Sequence, residues 1–484
     1  MPSSSSSLTL ALQRALDSRA RRKILRSLPF PTPSTPSSET PTATDFTSND
    51  YLSLTTSPLL HTHVLRTLQT SPHILGSGGS RLLVNPEVHD KFERRVERFF
   101  NLPTSTPDPT TTTEAGGRSV LLFNSGYDAN VSFFSTVPQP GDAIVYDELV
   151  HASVHDGIRG GCRAQTRVSF RHNDVGDLRR VLRSLSLQQQ QAGKGRTIFV
   201  AIESLYSMDG TFAPLREFVD VLEEIRGEAY LVVDEAHATG VYGPKGRGRV
   251  ALEGLEGHPR VLARLCTFGK ALGGSGALLI STPLITKYLL NYARPLVYTT
   301  ALSNMAVIAA GCSFDLLEDG TAETLAKKVL STSKTFTHTL RRRLREEGAG
   351  RDIIRVGVGV GVEEDREKEL DDYAPIIPIL TPPGGGGGTY SPAHDLSSHL
   401  LNKYSILARP ITWPTVPKGD DRVRVCLHAG HTREQVERLI DGIVEWARGR
   451  VQHERVGEDE ERPKTTTRAV AMNMNMDILL KSRL

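Results

Sequence analysis

Six short apolar runs alternate with helical stretches between Val120 and Tyr298, and this alternation constrains the fold more than any other feature. The runs are Val120–Phe123, Ala143–Tyr146, Thr197–Glu203, Ala229–Asp234, Leu265–Phe268 and Gly276–Ser281. A run that is apolar at nearly every position belongs to a strand buried on both faces. Helices between successive runs must then cover both faces of one sheet. The pattern predicts an α/β fold with a doubly wound, mostly parallel sheet. In such a sheet, ligands bind beyond the carboxyl ends of the strands. The residues that follow each run are therefore the first to inspect for chemistry.

Tyr230-Leu231-Val232-Val233 runs straight into Asp234, and His237 follows three residues later. Lys270 stands in Thr267-Phe268-Gly269-Lys270-Ala271, just past the next run. A lysine at a strand end can form a Schiff base with a carbonyl cofactor. A neighbouring carboxylate can keep a pyridinium nitrogen protonated. Pyridoxal phosphate needs both groups from its protein. Burial would favour the neutral amine of Lys270. His237 could hydrogen-bond the cofactor's phenolate oxygen, and His151, in His151-Ala152-Ser153, could stack on its ring.

Ser125-Gly126-Tyr127 lies between the first run and a helix start. Strand, glycine turn and helix start make an anion site, because free N–H groups and the positive helix end face a phosphate. Ser207 follows Thr197–Glu203 and would point into the same crevice. Taken singly, each motif has a structural alternative: Gly-Lys pairs are common in loops, and a lone histidine is often a core residue. Gly76-Ser77-Gly78-Gly79-Ser80-Arg81 lacks the preceding strand of a dinucleotide fingerprint and reads as a tight loop lining a site.

The rest of the chain suggests its organisation. Leu8 to Leu28 reads as a basic amphipathic helix, followed by a Pro/Ser/Thr linker up to Thr44. Met305 to Glu347 reads as long helices, and Val356–Val362, Ile376–Leu380 and Arg422–Leu427 as strands. A closing helix spans His431 to Val451, started by Thr432-Arg433-Glu434-Gln435 as a cap. The expected division is 1–45, a large domain 46–304, a smaller α+β domain 305–450 and a charged tail 451–484. Pro103–Gly117 and Gly384–Gly388 read as inserted loops. Net charge is +3 with scattered basic residues, which argues against a nucleic-acid partner. No run of apolar residues is long enough for a membrane span. The four cysteines are far apart, so neither a metal site nor a disulfide framework is signalled.

Read together, these stretches resemble the α-oxoamine synthases, pyridoxal-phosphate enzymes of the aspartate-aminotransferase fold (fold type I). The resemblance is carried by Asp45-Phe46-Thr47-Ser48-Asn49-Asp50-Tyr51-Leu52, the Gly76–Arg81 loop and Ser125-Gly126-Tyr127-Asp128-Ala129-Asn130. It continues through His151-Ala152-Ser153, His172-Asn173-Asp174, Ser207-Met208-Asp209-Gly210, Asp234 to Gly240, Thr267 to Lys270, and Arg294-Pro295 to Thr300. The Pro414-Thr415-Val416-Pro417 to Arg424 stretch is similar to the biotin-pathway branch of the group.

The resemblance implies a condensation of an amino acid, L-alanine, with an acyl-CoA, pimeloyl-CoA, with loss of CO2. It implies Lys270, His151 and Asp234 as catalytic residues. Ser125, Gly126, Tyr127, His151, Ser207, Asp234, His237, Thr267 and Lys270 would hold the cofactor. Thr299 and Thr300 would reach the cofactor phosphate of a partner subunit, which implies a homodimer. Arg26, Asn49, His151, Thr415 and Arg424 would meet substrate, with Arg424 on the amino-acid carboxylate. Other branches of the group, making 5-aminolevulinate, 2-amino-3-oxobutyrate or long-chain products, stay open, as does a catalytically silent subunit of the same fold. Ser53 stands where the group usually has glycine, Leu82 to His89 departs from the expected turn, and Ile411-Thr412-Trp413 are extra. The terminal Ser482-Arg483-Leu484 matches a peroxisomal address. The basic N-terminus also fits a mitochondrial presequence, and a cytoplasmic location stays open.

Overall fold

The computed structural model describes residues 6–22, 24–26, 28, 43–100, 118–192, 196–350, 353–357, 369–382 and 391–461. The two inserted loops, the Pro/Ser/Thr linker and the terminal tripeptide lie outside these residues, apart from the last linker positions. The chain forms two units, Met1–Thr44 and Asp45–Leu484.

In the first unit, α1 (Ser7–Arg21) is capped by Ser6, whose side chain accepts from the Thr9 N–H. It stops short of the expected Leu28. None of its residues is buried, so it gains no packing energy that would extend it, and helices of this length are marginal without packing.

The second unit is built on a seven-stranded sheet. Its strands are β1 (Ser119–Phe123), β2 (Ala143–Asp147), β3 (Thr166–Phe170), β4 (Ile198–Glu203), β5 (Ala229–Asp234), β6 (Val261–Thr267) and β7 (Ala277–Ser281). Their order is β1-β7-β6-β5-β4-β2-β3. β7 pairs antiparallel with both neighbours, and the remaining pairs are parallel. The six expected strands are all present and the sheet is mostly parallel, as the alternation predicted. Side chains leave its two faces into two cores, as alternation along a strand requires. Ala143, Val145, Val200, Leu231 and Val233 enter one core, and Ile144, Phe199, Ala201 and Val232 the other.

Two strands differ from expectation for identifiable reasons. β3 reads Thr-Arg-Val-Ser-Phe and is half-buried at the sheet edge, so it lacks a continuous apolar run. β6 begins at Val261 rather than Leu265 because Arg264 interrupts the apolar pattern. That arginine is nevertheless buried, 2.6 Å from the buried carboxylate of Glu235. A buried charge paired in this way can sit inside a sheet.

A second sheet contains β8 (Arg355–Val356), β9 (Ile376–Leu380), β10 (Arg409–Ile411) and β11 (Arg422–Cys426), in the order β10-β11-β9-β8. The long helices expected after Met305 are Asn304–Glu318 and Thr321–Glu346. The closing helix runs Arg433–Glu461, longer than read. Its cap is the one the sequence suggested: Gln435 N–H donates to Thr432 Oγ1 and Thr432 N–H to Gln435 Oε1. One hydrophobic cluster runs from Phe46 to Val451, so both sheets belong to the same compact unit. No helix among the described residues is long and apolar enough to cross a membrane.

Candidate active site

β1, β2, β4, β5 and β6 all run in one direction, and each hands a polar residue to the same edge. Asp234 ends β5 and is buried. Its Oδ1 accepts the Ala236 N–H at 2.8 Å, and its Oδ2 accepts from Asn130 Nδ2 at 2.8 Å. Both oxygens are thus held in place. Lys270 lies three residues beyond β6, partly buried. Burial lowers its pKa, against the opposing pull of Asp234 and Glu203, and the Arg424 charge lowers it further. A lowered pKa keeps more of the amine neutral and able to take a proton.

His237 is buried, with Nδ1 2.7 Å from the Tyr51 hydroxyl. Burial pushes its pKa well below the ordinary imidazole value, and the Lys270 charge adds to this. His151 caps the helix Ala152–Arg159 and is exposed at the crevice. Glu203, at the end of β4, pairs in register with Asp234 and is buried. Burial and the neighbouring Asp234 push its pKa well up.

The anion end of the site is the helix Gly126–Thr136, whose cap is Ser125 accepting from Asp128 N–H. The first N–H groups of a helix have no carbonyl within the helix. A Cβ at Gly126 would lie 3.4 Å from Leu265 Cδ2 and 3.8 Å from Thr267 Oγ1, so the structure brings Thr267 to this turn. Tyr127 is half-exposed, its hydroxyl bonded to Asp156 at 2.6 Å. Thr300 joins the same region through its backbone: its C=O accepts from Asn124 Nδ2 at 2.7 Å. Thr299 lines a small crevice with Arg81 and Leu302.

On the substrate side, Arg424 is buried and draws two segments together. Nη2 donates to Asn49 Oδ1 at 2.9 Å and Nε to the Ser207 carbonyl at 2.5 Å. The Ser207 turn closes at Gly210, whose φ is +63°. A side chain there would overlap the Ile376 carbonyl, which explains the glycine. Ser53, where glycine was expected, has φ +56°, a left-handed conformation that glycine adopts most readily. Its hydroxyl accepts the Gly430 N–H at 2.7 Å, which offsets part of the strain.

Lys270, Asp234, His237 and His151 therefore meet electrostatically, with Arg424, Asn49 and Ser207 on one flank and Ser125, Gly126 and Thr267 on another. Thr415 is exposed in a turn closed by its N–H on the Thr412 carbonyl. Arg26 is exposed in the separate N-terminal unit. The Gly76–Arg81 loop lies against Ala301, whose N–H donates to the Gly79 carbonyl. Sequence reasoning gave no role to Tyr51, Asn130, Ser153 or Glu203. Glu203 carried the same signal as Asp234, an apolar strand ending on an acid.

The family model for aminotransferases of class I and II matches residues 41–443. The chain belongs to that family. It is 39% identical to 8-amino-7-oxononanoate synthase of Emericella nidulans, over 91% of this chain and 95% of that protein. It is 36% identical to the aminoacyl transferase sphA of Aspergillus fumigatus, over 89% of this chain and 86% of that protein. Among solved structures, serine palmitoyltransferase of Sphingomonas wittichii superposes with a TM-score of 0.66 and 26% identity, over 84% of this chain and 88% of that one.

Within the family the chain is an α-oxoamine synthase and resembles 8-amino-7-oxononanoate synthase. It is a pyridoxal-phosphate-dependent acyltransferase of fold type I. The residues fit that cofactor. A fixed carboxylate, a lysine with lowered pKa and a glycine turn at a helix N-terminus supply the three kinds of group it requires. Its amino-acid and acyl-CoA substrates are those of the group.

Proposed function

We propose that the protein condenses L-alanine with pimeloyl-CoA, releasing CoA and CO2 and forming 8-amino-7-oxononanoate for biotin synthesis. The observation that carries this reading is the match to the Emericella nidulans synthase over 95% of that protein's length. Bound pyridoxal phosphate supplies an electron sink for a carbanion beside the amino nitrogen. Lys270 anchors the cofactor and, as a neutral amine, takes the proton from the amino acid's Cα. Asp234, held by Ala236 and Asn130, keeps the ring nitrogen protonated. Thr267 and the N–H groups of Gly126 and Tyr127 hold the phosphate. Arg424 and Asn49 orient the amino-acid carboxylate, and Thr415 and Arg26 contact substrate.

A longer acyl donor is the competing reading, favoured by the 26% identity to serine palmitoyltransferase of Sphingomonas wittichii. Lys270→Ala tests the chemistry shared by both. Turnover is expected to vanish while the cofactor still binds without a covalent link. Retained turnover in that variant contradicts the assignment.

The working form in this reading is a homodimer with shared sites. Leu75, Leu82, Leu83 and Tyr298 are large apolar side chains left exposed, which a partner subunit would cover. The terminal Ser482-Arg483-Leu484 supports a peroxisomal location. Loss of peroxisomal import on deleting that tripeptide is the test.

A further inference from the structure

Two side chains, Asn130 and Ser153, link the Asp234 carboxylate to the His151 imidazole at the crevice. Asn130 projects from the first turns of the helix Gly126–Thr136 and is buried, as is Ser153 in the helix Ala152–Arg159. The Asn130 amide nitrogen donates to Asp234 Oδ2 at 2.8 Å and to Ser153 Oγ at 3.0 Å. An amide nitrogen has two hydrogens, so one goes to each partner. Ser153 Oγ, which accepts from Asn130, lies 2.7 Å from His151 Nδ1. His151 Nδ1 accepts the Ser153 backbone N–H at 3.2 Å.

The Ser153 backbone N–H can only donate, so Nδ1 must carry its lone pair and the ring proton sits on Nε2. The Ser153 hydroxyl then donates to the same Nδ1. Protonating Nδ1 would leave the Ser153 N–H without its acceptor and strip the hydroxyl proton of its partner. Both groups are buried, where an unpaired donor costs about 1–3 kcal/mol.

We infer that Asn130 and Ser153 are positioning residues for the pyridoxal-phosphate chemistry: they hold His151 as the neutral Nε2–H tautomer and tie its orientation to the Asp234 carboxylate. The inference rests on the cofactor class and not on the choice of acyl-CoA. His151 is then a hydrogen-bond donor to an oxygen of the reacting amino acid, and the proton transfers belong to Lys270. A single residue, Asn130, sets two groups at once: the acid that holds the ring nitrogen and the imidazole beside the ring.

The groups that face His151 agree with a neutral ring. Burial lowers its pKa, and the Lys270 charge lowers it further, while Asp234 and Asp156 oppose. Glu203, whose pKa is pushed well up by burial and by Asp234, adds little negative charge that would favour an imidazolium. His155, on the same helix, has a pKa lowered by burial.

The test uses the cofactor-loaded enzyme labelled with ¹⁵N-histidine, with the His151 signal identified by its loss in His151→Asn. Long-range proton–nitrogen correlation is expected to show a bare Nδ1 and a protonated Nε2, unchanged as the pH falls to the ordinary imidazole value of about 6.5. In Ser153→Ala and Asn130→Ala the ring is expected to show mixed tautomers and to titrate nearer the ordinary value of about 6.5. Steady-state kinetics should follow, with kcat falling roughly 10- to 100-fold, an amino-acid KM within about threefold, and a new acid limb near pH 6–6.5. A protonated Nδ1 in the unmodified enzyme overturns the inference, and that measurement needs no variant. Variants that fold, bind cofactor, and keep the original tautomer and pH profile overturn it as well.

Discussion

The Tyr51 hydroxyl lies 2.7 Å from Nδ1 of His237, and both residues are buried. The same hydroxyl is 3.2 Å from Asn49 Oδ1, which also accepts from Arg424. One phenol therefore joins the cofactor side of the site to the substrate side. Tyr51→Phe leaves a buried imidazole nitrogen without its partner. The expected cost is about 1–3 kcal/mol of stability, with a blue or red shift of the bound cofactor's absorbance. Chemical denaturation and the cofactor spectrum check it, and an unchanged spectrum at unchanged stability contradicts it.

Arg424 uses its planar fork on two segments, Asn49 and the Ser207 carbonyl. A lysine supplies one point of charge and cannot span both. Arg424→Lys is expected to raise the KM for the amino acid by roughly 10- to 100-fold, about 1.5–3 kcal/mol of charge-assisted bonding. The KM for the acyl-CoA should move far less. Equal changes in both constants would place Arg424 elsewhere in the reaction.

Acid should destabilise the protein through its buried neutral histidines. His431 donates from Nε2 to the Asp45 carbonyl and accepts the His428 N–H on Nδ1. Burial, with the His428 charge, lowers its pKa from 6.5 to about 4. His89 is lowered to about 4, by burial and then by Arg81. Between those values and 6.5 the unfolded chain binds more protons than the folded one. Stability therefore rises with pH across the window and is lost as pH falls through it, by up to roughly 1.4 kcal/mol per pH unit for each histidine. Glu203, with its raised pKa, contributes the opposite slope above about pH 4.5. Urea unfolding at a series of pH values should give a shallower acid slope in His431→Gln than in the unmodified protein, and equal slopes contradict the account.

Much of this was legible because the chemistry sits at strand ends. A buried parallel strand writes itself as an apolar run, and the residue after it is the one the sheet delivers, which is how Asp234 and Lys270 stand out. The capping box at Thr432 was equally local. Arg264 misled the reading of β6 because its partner Glu235 is far off in sequence, and pairing is what allows a charge in the core. The relay through Asn130 and Ser153 was invisible for the same reason: the two Asn130 bonds join different elements, and neither side chain alone signals a role. Thr415 and Arg26 came from resemblance, and local spacing carried no information about their placement.

The central claim is tested most directly by CoA-thiol release from the purified protein loaded with pyridoxal phosphate. Alanine, glycine and serine are each paired with pimeloyl-, succinyl-, acetyl- and palmitoyl-CoA. The account predicts release with alanine and pimeloyl-CoA and little with any other pair. Release with a different pair alone contradicts the proposed reaction while keeping the chemistry. Absence of release with every pair, in protein that carries the cofactor, contradicts both.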